Sequence, residues 1–168
     1  MKFRVNGIMN DSIVDGPGLR LAVFVQGCGH GCLGCHNPQT HDPQGGREMD
    51  TADVLKLVKE NPLLDGLTLS GGEPFEQAEA CLVMAREAKA RGLNVWIYSG
   101  YTYEALKKSK ESAVQGLLDT CDVLVDGPFV LPQRSLELDF RGSANQRLVD
   151  LKESGKQGQA VLWQRVRW

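Results

Sequence analysis

Apolar residues fall in short dense runs set apart by polar, glycine-marked turns. The first run, Leu21-Ala22-Val23-Phe24-Val25, is continuous, which at this length reads as a strand buried on both faces over about 19–26. From Asp50 the period changes. Val54, Leu55, Leu57 and Val58 form one face of a helix, capped by Asp50 or Thr51, running to about Lys59 and stopped at Asn61-Pro62. The two periods then alternate. A short strand, Gly66-Leu67-Thr68-Leu69, precedes a helix to about Arg91 with Ala78, Cys81, Leu82, Ala85 and Ala88 at helical spacing and Gly92 as its stop. A third strand, Asn94-Val95-Trp96-Ile97-Tyr98, helical segments over about 103–119 and a fourth strand, Asp122-Val123-Leu124-Val125-Asp126, follow.

Strands apolar on both faces, alternating with helices, specify a parallel sheet with right-handed crossovers. Each strand runs into a distinctive turn: the cysteines of 28–35, then Ser70-Gly71-Gly72-Glu73-Pro74, then Ser99-Gly100, then Asp126-Gly127. Chemistry in such sheets gathers at the strand C-termini, so the four turns are expected on one rim. A closed eight-stranded barrel takes about 250 residues. With 168 residues, the expectation is one α/β domain over 1–168, an open partial (βα) barrel with a mostly parallel sheet of about five or six strands. Elsewhere the pattern is weaker. Residues 3–18 read as irregular, with a turn at Asp15-Gly16-Pro17-Gly18, and Asn37-Pro38 and 42–46 read as loops. Arg141 to Arg147 is of loop type, Leu148 to Lys152 helical, and Ala160 to Trp163 a last strand. Trp96 and Trp163 read as core, and Trp168 as a terminal anchor or a loose end.

Composition narrows the class without naming a chemistry. With 42% apolar and 24% charged residues and a net charge of −2, the chain is of ordinary globular type, with nothing that advertises nucleic-acid or membrane binding. No apolar run approaches the roughly 20 residues that span a bilayer, and Met1 to Asn6 lack the apolar core of a signal peptide. Five cysteines, three of them clustered, argue against a disulfide scaffold and for metal-binding thiols in a reducing cytoplasm.

The clustered thiols lie in Cys28-Gly29-His30-Gly31-Cys32-Leu33-Gly34-Cys35, spaced C-x3-C-x2-C on a glycine-rich loop. A structural zinc site would complete them with His30, His36 or His41. A 4Fe-4S cluster held by three thiolates would instead keep one iron open, as a site needs if it is to bind something and act on it. Spacing favours iron–sulfur and leaves zinc standing. Cys81, on the apolar face of a helix, and Cys121, at the start of a strand, read as core thiols. No Ser-His-Asp or paired-carboxylate arrangement points to a general acid or base.

The pairing of C-x3-C-x2-C after one strand with Gly71-Gly72-Glu73-Pro74 after the next resembles the radical S-adenosylmethionine superfamily. Val14-Asp15-Gly16-Pro17-Gly18-Leu19-Arg20, Phe24-Val25-Gln26-Gly27-Cys28 and Cys35-His36-Asn37-Pro38 resemble the opening of its glycyl-radical-enzyme activases. Tyr98 to Tyr101, Val125 to Phe129 and Arg141 to Arg147 are similar to the branch that activates anaerobic ribonucleoside-triphosphate reductase. The resemblance implies a 4Fe-4S cluster on Cys28, Cys32 and Cys35, whose open iron chelates the methionine portion of S-adenosylmethionine. Gly71, Gly72, Glu73 and Pro74 would hold the cofactor's amino group. Ser99 and Asp126 are further candidates at the rim, with Asn145 and Arg147 beyond them. His36 is a candidate to shield the cluster, because Gly34 stands where many members carry an aromatic residue. The implied reaction is one-electron reduction by an external donor, such as a flavodoxin-like protein, and cleavage to methionine and a 5′-deoxyadenosyl radical. That radical takes a hydrogen from a glycine of the partner reductase. No catalytic side chain is demanded beyond cluster and cofactor. Two other readings remain: an activase of the pyruvate formate-lyase type, and a non-catalytic metal-binding or electron-transfer module. Since ligation supplies ordering energy, the thiol loop is expected to be mobile without its cluster.

Overall fold

The computed structural model describes residues 1–165, so the expectation for Trp168 lies outside the described residues. One sheet holds seven strands: β1 (Lys2–Ser12), β2 (Arg20–Val25), β3 (Arg47–Asp50), β4 (Gly66–Gly71), β5 (Asn94–Tyr98), β6 (Val123–Asp126) and β7 (Arg147–Asp150), in the order β3-β1-β2-β4-β5-β6-β7. The middle four, β2-β4-β5-β6, pair in parallel. Both flanks are antiparallel, β1 against β2 and β3 on one side and β7 against β6 on the other. Five α-helices accompany the sheet: α1 (Thr51–Glu60), α2 (Ala78–Ala90), α3 (Tyr103–Lys107), α4 (Ser112–Thr120) and α5 (Leu151–Gln157).

Alternation along the parallel strands divides two cores. Leu21, Val23, Leu67, Leu69, Val95, Ile97 and Leu124 point to the helical side and pack with Val54 and Val58 of α1, Cys81, Met84 and Ala85 of α2, and Leu117 of α4. Trp96, Val123 and Val125 point the other way and gather Tyr98, Phe140, Leu148 and Trp163 around them. Trp96 stands edge-on to Phe140 at 5.2 Å and to Trp163 at 5.0 Å. Arg20 lies on this second face, fully buried, with its guanidinium 5.7 Å from the Trp96 ring. Such burial on both faces is what makes parallel strands read as unbroken apolar runs.

The mixed α/β architecture and the parallel centre agree with the sequence reading; the strand count does not. Seven strands replace the expected five or six because β1 forms in a stretch read as irregular and β3 between the loop read at 42–46 and the helix, where no element was expected. Asn6, Gly7, Asn10 and Asp11 disguise β1, yet Phe3 and Val5 alternate into the core, and two register shifts against β2 absorb the irregularity. At the other edge, β7 and then α5 occupy the region read as helical from Leu148, with Asp150 capping α5 through Glu153 N at 3.0 Å. The expected last strand over Ala160 to Trp163 is reduced to one bridge between Leu162 and Val149.

Candidate active site

The turns after β2, β4, β5 and β6 do share one rim. Cys28, Cys32 and Cys35, Gly71 and Gly72, Ser99 and Gly127 line a single cavity of about 360 Å³. The cysteine loop leaves β2 through Gln26 and returns close to where it began. Gln26 Nε2 donates to the carbonyls of Gln39 (2.9 Å) and Asp42 (2.7 Å). Gly27 N donates to Thr40 O at 2.7 Å, and Cys28 N to His41 O at 3.2 Å. The thirteen-odd residues that carry the thiols are therefore closed at the neck by backbone bonds.

All three thiols are half-buried and free of disulfides. Cys35 Sγ accepts a bond from Asn37 N at 3.4 Å, the kind of contact that favours a ligating sulfur. In the metal-free chain, burial pushes the Cys28 thiol up to about 11. Among the described residues, no three His, Cys, Asp or Glu side chains gather as ligands of one ion. The histidines weighed as a fourth ligand are placed as follows. His30 Nε2 donates to Glu73 Oε2 at 2.6 Å. His36 is exposed and tilts on the Phe129 ring at 4.9 Å. His41 is half-buried at the cavity, with its Nε2 buried and unpartnered. Three thiols spread along a cavity wall, with room before them, fit a cluster in which each thiolate takes its own iron.

Gly71 and Gly72 bring the second turn hard against the first. Gly71 has φ +93°, and a Cβ there would stand 2.5 Å from Phe24 Cα. A Cβ on Gly72 would run into the carbonyl oxygen of Gly27. Their amides are used in stitching: Gly72 N donates to Val25 O and Glu73 N to Gly27 O, each at 2.8 Å. Glu73 and Pro74 lie behind the wall that the glycines present. The Glu73 carboxylate is fully buried and accepts from Phe75 N (3.0 Å), Gly100 N (2.9 Å) and Ser99 Oγ (3.0 and 3.1 Å), besides His30. Ser99 lines the cavity but directs its hydroxyl to Glu73. The His30–Glu73 hydrogen bond raises the His30 pKa against the opposing effect of burial.

Asp126 is buried and turned away from the thiols. It accepts from Arg147 at 2.5 and 3.0 Å and from Tyr103 N at 2.8 Å, tying the end of β6 to α3 and β7. Arg147 also reaches Glu104, and the two carboxylates push its pKa up. Asn145 donates to Pro128 O at 2.8 Å. Gln146 accepts from Gly142 N and Ser143 N and donates to Gly127 O, so the stretch from Arg141 to Arg147 folds into a cap held by its own side chains. Arg141 lies on the cavity side of that cap. Its Nη1 donates to Gln146 O, but its Nε is buried with no partner. Sequence reasoning singled out Asn145 and Arg147 and missed Arg141. The available signal was a cation beside an aromatic in a polar loop; the residue before it, Phe140, takes φ +58°, which the sequence does not announce.

Residues 14–149 match the family described as a 4Fe-4S single cluster domain. An anaerobic ribonucleoside-triphosphate reductase-activating protein of Vibrio cholerae is 38% identical over 142 residues, covering 80% of this chain and 89% of that one. A pyruvate formate-lyase-activating enzyme of Clostridium pasteurianum is 37% identical over 130 residues, covering 74% of this chain and 55% of that one. Among solved structures, QueE from Escherichia coli overlaps 61% of this chain and 54% of its own at 16% identity and a TM-score of 0.48.

Proposed function

The chain belongs to the family of anaerobic ribonucleoside-triphosphate reductase-activating proteins, and from that premise we propose that it installs a glycyl radical on such a reductase. The reaction is reductive cleavage of S-adenosylmethionine at a 4Fe-4S cluster. One observation carries the reading: the thiols after β2 and the paired glycines after β4, two strands adjacent in the sheet, line the same cavity.

Cys28, Cys32 and Cys35 hold the cluster. Gly71 and Gly72, lacking side chains, let the methionine ammonium approach the backbone of the second turn. Arg141 offers its unspent Nε to the methionine carboxylate, a match of a fixed cation to an anion that a charge-assisted bond rewards. Glu73, Pro74 and Ser99 act from behind, holding the glycines and the thiol loop at a fixed separation. Asp126 acts through Arg147, fixing the end of β6 below the cap. His36 and Phe129, packed against each other, stand at the wall of the same cavity. When bound, the cluster supplies the electron that breaks the sulfonium carbon–sulfur bond, giving methionine and the 5′-deoxyadenosyl radical that takes hydrogen from the partner's glycine. The chain's own side chains bind, orient and keep water away, and none is asked to move a proton.

Four parallel strands whose ends meet one cavity, with a cap closing over β6, support reading the sheet as an open partial barrel within a single domain. Five cysteines without a disulfide support a reducing, cytoplasmic setting. A flavodoxin-like protein is the proposed one-electron donor. The test is anaerobic reconstitution followed by electron paramagnetic resonance. Protein loaded with about four irons, reduced and given S-adenosylmethionine, should raise a glycyl radical on anaerobic ribonucleoside-triphosphate reductase and release 5′-deoxyadenosine. A radical on pyruvate formate-lyase alone would move the assignment to the other activase class. Stoichiometric zinc with no cofactor cleavage would overturn it.

A further inference from the structure

The thiol loop is closed at its neck by Gln26, Gly27 and Cys28, but its tip needs another tether. Among the described residues, one side-chain hydrogen bond joins residues 30–34 to the rest of the chain, and it is His30 Nε2 to Glu73 Oε2 at 2.6 Å. His30 lies between Cys28 and Cys32 in sequence. Its ring is two-sided in its contacts. It meets Tyr101 edge-on, with centroids 4.5 Å apart. It also fills the space over Gly100, where a Cβ would stand 2.5 Å from His30 Cδ2. The acceptor is equally prepared, since Glu73 is fully buried and already fixed by Phe75 N, Gly100 N and Ser99 Oγ. The tip of the thiol loop thus docks on a rigid carboxylate that belongs to the turns after β4 and β5.

We infer that His30 is a positioning residue: it docks the thiol loop on Glu73 before any cluster is present, so that Cys32 and Cys35 wait at the cavity rather than being drawn there by metal. The inference rests on the reading of Cys28, Cys32 and Cys35 as cluster ligands, and it reverses the expectation of a loop ordered only by ligation. A histidine here is not a fourth ligand; it sets where the three ligands stand. A preset loop also resists opening once loaded, because release of iron requires the tip to leave Glu73 as well as the thiolates to let go.

Pulse alkylation of the cluster-free protein tests this without reference to turnover. Protein stripped by an anaerobic chelator is exposed briefly to iodoacetamide, and each cysteine is read by mass spectrometry. In His30→Ala, Cys32 and Cys35 should be modified at least about tenfold faster than in the unaltered chain, the scale of a lost hydrogen bond to a charged partner. His30→Gln, whose amide can still donate to Glu73, should restore much of the protection. Cys81 and Cys121, fully buried in the core, serve as internal controls and should stay unmodified throughout. Equal labelling of Cys32 and Cys35 in His30→Ala and the unaltered chain overturns the inference, as does slow labelling in His30→Ala alongside a fully reactive His30→Gln. A separate arm loads iron and follows its release to a chelator, which should quicken in His30→Ala and recover in His30→Gln. Retention of iron by Cys32→Ala would sink the ligand assignment, while the alkylation arm would still decide the docking.

Discussion

Arg20 offers the sharpest stability prediction. It is fully buried, yet no carboxylate lies within ion-pairing distance among the described residues. Its guanidinium instead donates to Thr68 Oγ1 (2.7 Å), Pro17 O (2.9 Å), Asn94 Oδ1 (2.6 Å) and Leu67 O (3.0 Å). Burial lowers its pKa to about 10, well below the ordinary guanidinium range, which at 1.36 kcal/mol per tenfold is a cost of about 3 kcal/mol to the charged form. Four charge-assisted bonds at about 1.5–3 kcal/mol each exceed that cost. Arg20→Met relieves the desolvation but strands two carbonyls and an amide oxygen that no apolar side chain can satisfy. The net loss should be about 3–5 kcal/mol, toward the upper end of three stranded acceptors at about 1–3 kcal/mol each less the desolvation relieved. In a domain of this size that is a fall in Tm of roughly 6–20 °C. Thermal unfolding of the cluster-free chain followed by circular dichroism reads it. Arg20→Lys should lie between, since one ammonium cannot span four acceptors. An Arg20→Met variant melting within about 2 °C of the unaltered chain would refute the reasoning, because it would mean the acceptors are met by water and the guanidinium is not what joins the 12–18 loop to the sheet.

Other outcomes follow from the site. Alanine at Cys28, Cys32 or Cys35 should abolish iron loading and cofactor cleavage, whereas Cys81→Ala and Cys121→Ala should load iron normally at a stability cost of about 1 kcal/mol. Gly72→Ala forces a Cβ onto the Gly27 carbonyl, and overpacking of about 1–3 kcal/mol should weaken S-adenosylmethionine binding about tenfold or more in equilibrium dialysis. Arg141→Gln should raise the Kd for S-adenosylmethionine by about tenfold, the scale of one charged hydrogen bond, with Arg141→Lys less affected; unchanged binding would remove Arg141 from the cofactor. Hydrogen bonding to Arg147 holds Glu104 below its ordinary 4.5, so that pair's contribution is present above that value and lost as pH falls through the lowered one. Glu104→Gln should therefore shift urea midpoints slightly, by less than about 1 kcal/mol, at pH 7, and by nothing measurable once Glu104 is protonated in both states.

Much of the parallel centre was legible because burial on both faces writes itself as unbroken apolar runs: Leu21 to Val25 and Val95 to Ile97 could be little else. The antiparallel flanks were not, because β1, β3 and β7 have no continuous buried run, only isolated or alternate buried positions or none. Phe3 and Val5 alternate correctly, but Asn10 and Asp11 sit at a bulged end and break the pattern. The thiols and the paired glycines were legible by spacing and by order along the chain. What lay hidden was direction. Topology put Glu73, Ser99 and Asp126 at strand ends near the cavity, yet of the three Ser99 alone lines it, and sequence holds no trace that Ser99 would turn to Glu73 or Asp126 to Arg147. Arg141 was hidden for the same reason, and it follows a left-handed Phe140 that the sequence does not announce.

The five-bond environment of Glu73 has a consequence for descent. One buried carboxylate answers to donors from three turns, His30, Phe75, and Ser99-Gly100. Those turns cannot drift independently. A lineage that loses the donor at position 30 leaves an acid underemployed in a dry place, and a lineage that enlarges position 100 evicts the imidazole. Across divergent relatives, positions 30, 73, 99 and 100 should accordingly change as a set or stay as a set, even where the surrounding loop sequence is freely rewritten.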